Sequence, residues 1–162
     1  MGAERKIYER DRHDGDAVAC LLAPQNLAAP GVDTPTVYMR GFDQVLFCVL
    51  GGVANDAQAT LDLQVRQCTQ ANDAGGDSKV LAGLLGNKAI TQMTADAAFS
   101  VLNDKWLLHI RTEEMDVDAG FDYLELRITI SAQDTWYLAV EAVRSTASYE
   151  PVATTNITQV VP

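Results

Sequence analysis

The chain has 162 residues, with twelve Lys or Arg against twenty-two Asp or Glu and a net charge of −10. A chain of that length makes one domain that buries roughly 70% of the surface it exposes when unfolded, so it needs neither a metal nor a disulfide to hold it together. With 48% hydrophobic and 21% charged residues, wholesale disorder is excluded, and the negative field excludes nucleic-acid binding by bulk electrostatics.

Residues 1–16 carry four basic and five acidic side chains, with Ile7 and Tyr8 as the only large apolar ones. They read as an N-terminal arm ahead of a domain over residues 17–153, with a C-terminal tail over 154–162. No apolar stretch follows Met1-Gly2-Ala3-Glu4-Arg5-Lys6, so no secretory signal is expected, and Lys6 breaks the myristoylation pattern. His13 stands among Asp11, Asp14 and Asp16, but a zinc site needs three or four converging ligands, and the other histidine, His109, falls on a strand.

From residue 17 onward the dominant period is two. Residues 17–22 form a short strand ahead of Pro24, residues 25–35 read as a proline-punctuated loop, and residues 36–40 offer another short strand. Residues 44–50 are apolar enough for a central strand buried on both faces, stopped by Gly51-Gly52. Their apolar run is far too short to cross a bilayer. Residues 60–67 place Leu61, Leu63 and Val65 on one face and Asp62, Gln64 and Arg66 on the other. A capping residue, a short apolar stripe and a closing glycine predict a helix over residues 77–86, with a second short turn at 94–99. Residues 105–111 turn Trp106, Leu108 and Ile110 to one side. Residues 123–130 point Leu124, Leu126, Ile128 and Ile130 inward and Glu125, Arg127 and Thr129 outward, so Leu126→Ala is expected to be costly and Glu125→Ala cheap. A last strand covers 136–143, and residues 156–161 alternate weakly, as an edge strand or one laid on a neighbour would. Short strands, Gly- and Asp-rich turns and little helix predict a mainly β chain: a β-sandwich or jelly roll with one or two short helices.

Cys20, Cys48 and Cys68 make an odd set at spacings that form no disulfide framework. Cys20 and Cys48 lie beside apolar residues, and all three read as small buried hydrophobes, in keeping with folding in a reducing cytoplasm. The run from Glu113 to Asp122 is the sharpest acidic cluster. Asp116, Asp118 and Asp122 near Gly120 resemble a calcium loop in composition, but the glycine stands fifth where that loop needs it sixth, and no glutamate falls at the twelfth position. The expected role is a turn in which Gly120 takes a positive φ. No Gly-x-Ser-x-Gly elbow and no phosphate-cradling glycine loop occurs, so the expectation is a non-enzyme with no cofactor and no metal. Trp136 and Tyr137 point opposite ways from one strand, so one ring fills the core and the other can anchor a subunit contact.

The strand at residues 59–68 running into Thr69-Gln70-Ala71-Asn72-Asp73-Ala74-Gly75-Gly76, then Asn87-Lys88-Ala89-Ile90-Thr91-Gln92-Met93-Thr94, the stretch 111–123, and Ser148-Tyr149-Glu150-Pro151-Val152 together resemble the head decoration, or cement, proteins of tailed bacteriophages. The resemblance covers most of residues 36–153; the arm before residue 17 and the tail after 153 depart from it. It implies a β-rich homo-oligomer, often a trimer, bound to the major capsid protein on the outer surface of the virion, made in the bacterial host cytoplasm, with no direct nucleic-acid or membrane contact and no active-site residues. Ile7, Tyr8, Trp136, Tyr137, Ile157 and Val160 are the candidate interface residues. The alternatives are a tail-tube or head–tail connector subunit of the same virion, or a free lectin-like module assisted by calcium at Asp116, Asp118 and Asp122.

Overall fold

The computed structural model describes residues 18–56, 58–73, 76–83, 86–94, 104–145 and 159–161. Strands that are apolar on alternate positions must hide one face, and here they do so by stacking two sheets on a shared core. In chain order they are β1 (Val18–Ala28), β2 (Gly31–Asp33), β3 (Val37–Tyr38), β4 (Gln44–Ala54), β5 (Thr60–Cys68), β6 (Ser78–Val80), β7 (Ala82–Gly83), β8 (Gly86–Asn87), β9 (Ala89–Thr94), β10 (Asp104–Arg111), β11 (Tyr123–Ile130), β12 (Thr135–Ser145) and β13 (Gln159–Val161). One sheet has the order β1-β12-β4-β10-β13, antiparallel except where β13 lies parallel to β10. The other has the order β2-β11-β5-β6, with β3 also on β11 and β9 also on β5. The chain is mainly β, as its sequence predicts, in antiparallel sheets that make a β-sandwich; these strand orders do not establish the finer jelly-roll arrangement.

The core lies between the sheets. Phe47, Val49, Leu108, Leu138 and Val140 face Leu61, Leu63, Val65, Leu124 and Ile128 across it. Trp106 and Trp136 meet edge to face, ring centroids 6.5 Å apart at 74°, the arrangement that the ring quadrupole favours. Every inward residue expected from the alternation of residues 60–67, 105–111 and 123–130 is buried.

Four local expectations are corrected. First, β1 does not stop before Pro24 but runs on to Ala28. Its register against β12 shifts between Cys20 and Leu22 and again between Leu22 and Gln25. Pro24 therefore falls in an irregular stretch of an edge strand, where a missing N–H costs no ladder bond.

Second, β4 continues through Gly51 and Gly52, and it is not buried on both faces, since Leu50 is exposed and Leu46 and Cys48 are half-buried. Gly51 is there because a tryptophan is. A Cβ at Gly51 would come within 2.4 Å of the Trp106 ring, whereas one at Gly52 would meet the Tyr137 side chain at 3.2 Å. Trp106 is buried and cannot retreat, whereas the approach at Gly52 asks for a shift of only a few tenths of an ångström at the exposed Tyr137. Gly51→Ala is expected to cost about 1–3 kcal/mol through overpacking and Gly52→Ala much less, an ordering that thermal melts of the two variants will check.

Third, the described part of residues 77–86 carries short strands rather than a helix. β6 pairs with β5, Arg66 opposite Val80, and β7 and β8 make a small hairpin. Leu81 donates its N–H to the Val65 carbonyl at 3.0 Å, Val65 donates to Lys88 at 2.8 Å, and Lys88 donates to Leu81 at 3.1 Å. The open edge of β5 supplies hydrogen-bond partners that a solitary short helix lacks, and Leu81 is wholly buried at the base of the hairpin, so tertiary demand overrides helix propensity. The described helical elements are three short 3-10 turns, at Ala71–Asp73, Thr112–Glu114 and Val117–Ala119. Of the expected second turn at 94–99, Thr94 ends β9 and the remainder lies outside the described residues.

Fourth, Glu125 does not face solvent. It is 1% exposed, and its carboxylate sits 3.4 Å from Arg66 Nε and accepts from Ser78 Oγ at 3.3 Å. Two-fold periodicity assigned its face correctly but not what covers that face.

Candidate interaction surface

The two outward faces of the sandwich differ in chemistry. On the six-stranded sheet the outward side chains of β5 and β11 are mostly polar and pair with one another, beside the Tyr38 and Tyr123 rings, centroids 5.0 Å apart. Arg127 clasps Asp33 through two bonds, Nε to Oδ1 at 2.7 Å and Nη2 to Oδ2 at 2.6 Å. Next to it, Arg66 holds both Glu125 and Ser78. The Arg127 hydrogen bond holds the Asp33 carboxyl below its ordinary value of 3.8, with partial burial opposing and the Arg127 and Arg66 charges assisting. A carboxyl depressed in the folded state stabilises it fully above the unfolded value, and that contribution is lost as pH falls through the folded value. Acid melts from about pH 5 downward should therefore show a steeper loss of stability for the native chain than for Asp33→Asn.

On the five-stranded sheet the outward positions are largely apolar. Strand register sets them in rows: Val18 beside Val143, Val143 beside Leu46, and Leu46 beside His109. In the next row Cys20, Glu141, Cys48 and Leu107 stand side by side, and beyond it come Ala139 and Leu50. Val18 is 52% exposed, and Leu50 and Val143 are exposed as well. Single exposed apolar residues mean little, but several on one sheet face, here divided by the row of Glu141, are what a contact surface presents. Charge enters at Glu141 and, on β10, at Lys105 and Arg111. His109 Nε2 lies 2.8 Å from Gln44 Oε1. Burial first, then the Arg111 and Lys88 charges, lower its pKa from 6.5, so the ring is neutral at physiological pH and adds no charge to the face.

The cysteines divide differently from the sequence expectation. Only Cys68 is buried; Cys48 is half-buried and Cys20 exposed. The correction follows from strand parity: Cys20 and Cys48 both fall on outward positions flanking Glu141. They stand two strands apart, about 10 Å, too far for a disulfide. Burial, followed by the Glu141 charge, pushes the Cys48 thiol up from its ordinary value, which makes it a poor nucleophile.

The acidic run after β10 is a turn, as expected, with Gly120 at φ 86° closing the 3-10 element Val117–Ala119. Its carboxylates reach farther than the local backbone. Glu114 accepts from the Arg111 N–H at 2.9 Å and pairs with Lys88 at 3.1 Å, both side chains almost fully buried. Asp116 pairs with Lys79, whose ammonium also lies 4.3 Å from the Phe121 ring centroid. Among the described residues no three His, Cys, Asp or Glu side chains converge as a metal site.

Of the candidate interface residues, Trp136 is a core residue, 1% exposed; the inward half of the pair belongs to the domain's own packing. Tyr137, 46% exposed, is the outward half. Val160 lies on β13, whose backbone is paired with Leu107 of its own chain, so this part of the tail adds a strand to its own sheet. Ile7, Tyr8, His13 and Ile157 lie outside the described residues. At the far end of the apolar sheet from Gln44, an open groove of about 480 Å³ is lined by Asn26, Gly52, Val53, Asn55, Thr135 and Tyr137. Sequence spacing carried no sign of it, because those residues come from three strands and a turn.

Among the described residues no helix is long and apolar enough to cross a membrane. No known protein family matches this chain, and no curated protein is similar to it in sequence.

Proposed function

We propose that this chain is a structural virion protein that decorates the outside of a tailed-phage capsid and reinforces it by bridging capsomers as a trimer. The observation that supports the reading is the contrast between the two outer faces: one carries paired charges, the other exposes Val18 and Val143 side by side, with Leu50 two rows away beyond Glu141. A face of this kind gains free energy when a partner removes it from water, roughly 25 cal/mol per Å² of apolar area. Adhesion needs nothing further of the site. The acidic balance of the chain suits the exterior of a shell, away from packaged DNA, and the resemblance over most of residues 36–153 to head decoration proteins is what suggests the capsid as partner.

The test is co-sedimentation of the purified chain with capsid shells that lack it. Binding should saturate at a fixed ratio, raise the temperature at which the shells break open, and be lost in Leu50→Asp while that variant keeps its own melting transition. Absence of binding overturns the reading. Density in rings of six or twelve at the tail or portal, in images of the intact particle, replaces it with a connector or tail-tube role.

A further inference from the structure

The geometry points to a carbohydrate-binding site at the groove beside Tyr137, one that takes a neutral pyranose against the tyrosine ring. The groove adjoins Leu50 of the face in the capsid reading, whereas Val18 and Val143 lie at the other end of the sheet, in register with Leu46 rather than with Gly52; the glycoside test below and the capsid test read different ligands and can fail separately. Three features carry it.

The ring is exposed yet held. Its hydroxyl donates to the Pro24 carbonyl at 3.3 Å, and it lies over Gly52, where an added Cβ would come 3.2 Å from the ring carbon Cδ1. An aromatic face fixed before the ligand arrives loses little freedom on binding.

The rim is polar and braced. Asn26 stands directly opposite Tyr137 across the β1–β12 ladder. Asn55 accepts the Thr135 N–H on Oδ1 at 2.7 Å and donates its own N–H to the Thr135 carbonyl at 3.1 Å. Asn26, Asn55 and Thr135 line the same groove as the ring and bring amide and hydroxyl groups to it, while Val53 adds an apolar side chain.

The groove is neutral. None of its lining residues is charged, in a chain whose net charge is −10. A phosphorylated or cationic ligand would find no counter-charge there. A wholly apolar one would desolvate the amides without replacing their hydrogen bonds. A neutral pyranose matches both parts, with a C–H face for the aromatic ring and hydroxyls at its edge for the amides, and the groove is of the size that small ligands occupy.

Saturation-transfer NMR on the full chain tests this, with the methyl glycosides of glucose, galactose, mannose and N-acetylglucosamine as probes. At least one should receive saturation concentrated on the C–H protons of one ring face. Tyr137→Phe should keep the signal at reduced affinity, since the aromatic face stays and only its tether to Pro24 is lost. Tyr137→Ala, at an exposed position that leaves the core intact, should weaken binding about tenfold, and Asn55→Ala should weaken it while Tyr137 remains. No transfer to any of the four glycosides overturns the inference, as does transfer that Tyr137→Ala leaves unchanged. Binding of a proline-rich peptide with all four glycosides silent would assign the groove to a protein ligand instead.

Discussion

Glu125→Ala is expected to destabilise the fold by about 3–5 kcal/mol, the usual cost of removing one partner from a buried ion pair, and to lower the melting temperature by about 10 °C. Arg66 is the reason. Its guanidinium bonds Ser78 twice, Nε to Oγ at 2.8 Å and Nη2 to the carbonyl at 3.1 Å, and those bonds hold it over the sheet whether or not the carboxylate is present. With Glu125 gone, a mostly buried positive charge loses the carboxylate 3.4 Å from it, and Asp33, which feels that charge without an ion pair to it, compensates only in part. Glu125→Gln keeps an acceptor for Ser78 and removes only the charge, so it should fall between the native chain and the alanine variant. The double replacement Arg66→Met, Glu125→Leu should recover most of the loss, because an apolar pair of similar volume leaves nothing uncompensated. Urea melts of the four proteins will decide. A change within about 0.5 kcal/mol for Glu125→Ala, as at an ordinary surface site, would place that side chain in water and restore the reading made from periodicity.

Leu126→Ala, one residue along and on the opposite face, should cost about 2–5 kcal/mol. Leu126 is fully buried, and the backbone around it is pinned. Its N–H donates to Thr34 Oγ1 at 3.0 Å, and its carbonyl accepts the Thr34 N–H at 3.0 Å. On the other side β11 keeps register with β5, with Val65 opposite Leu126. A strand held on both edges cannot shift inward to close the cavity, which places the cost toward the upper part of that range. Leu126→Met, which conserves volume, should cost less than about 1.5 kcal/mol. Equal small losses for alanine and methionine would mean that the core collapses around the deletion. The pair of sites also separates two mechanisms: the Leu126 loss scales with deleted volume, the Glu125 loss with deleted charge.

These two neighbours show how far a sequence alone carries. Alternation over residues 123–130 put Leu126 in the core, as the structure does, because the side-chain period of a strand is a local property of the backbone. The same alternation put Glu125 in water. Its burial depends on Arg66 and Ser78, brought over it from β5 and β6, and no local pattern contains that. The stretch at 77–86 failed for a related reason. Its helix signals are real, but the free edge of β5 outbids them. Gly51 read as a stop because its function, making room for Trp106, lies across the sheet on β10. On the surface, Tyr137 was legible as the outward half of an aromatic pair. Asn26, Asn55 and Thr135 beside it were not, for each is an ordinary loop or strand residue until register brings them together.

The amino-acid order by itself determined that this chain is a β protein with a core of alternating Leu, Ile, Val and Trp, since strand period and hydrophobic burial act residue by residue. Only the tertiary structure decided which outward face is sealed by ion pairs and which is left apolar, and where the groove at Tyr137 opens. Those properties belong to pairs of residues far apart in the chain, such as Asp33 with Arg127 or Asn55 with Thr135, and a pair has no chemistry until folding sets its distance.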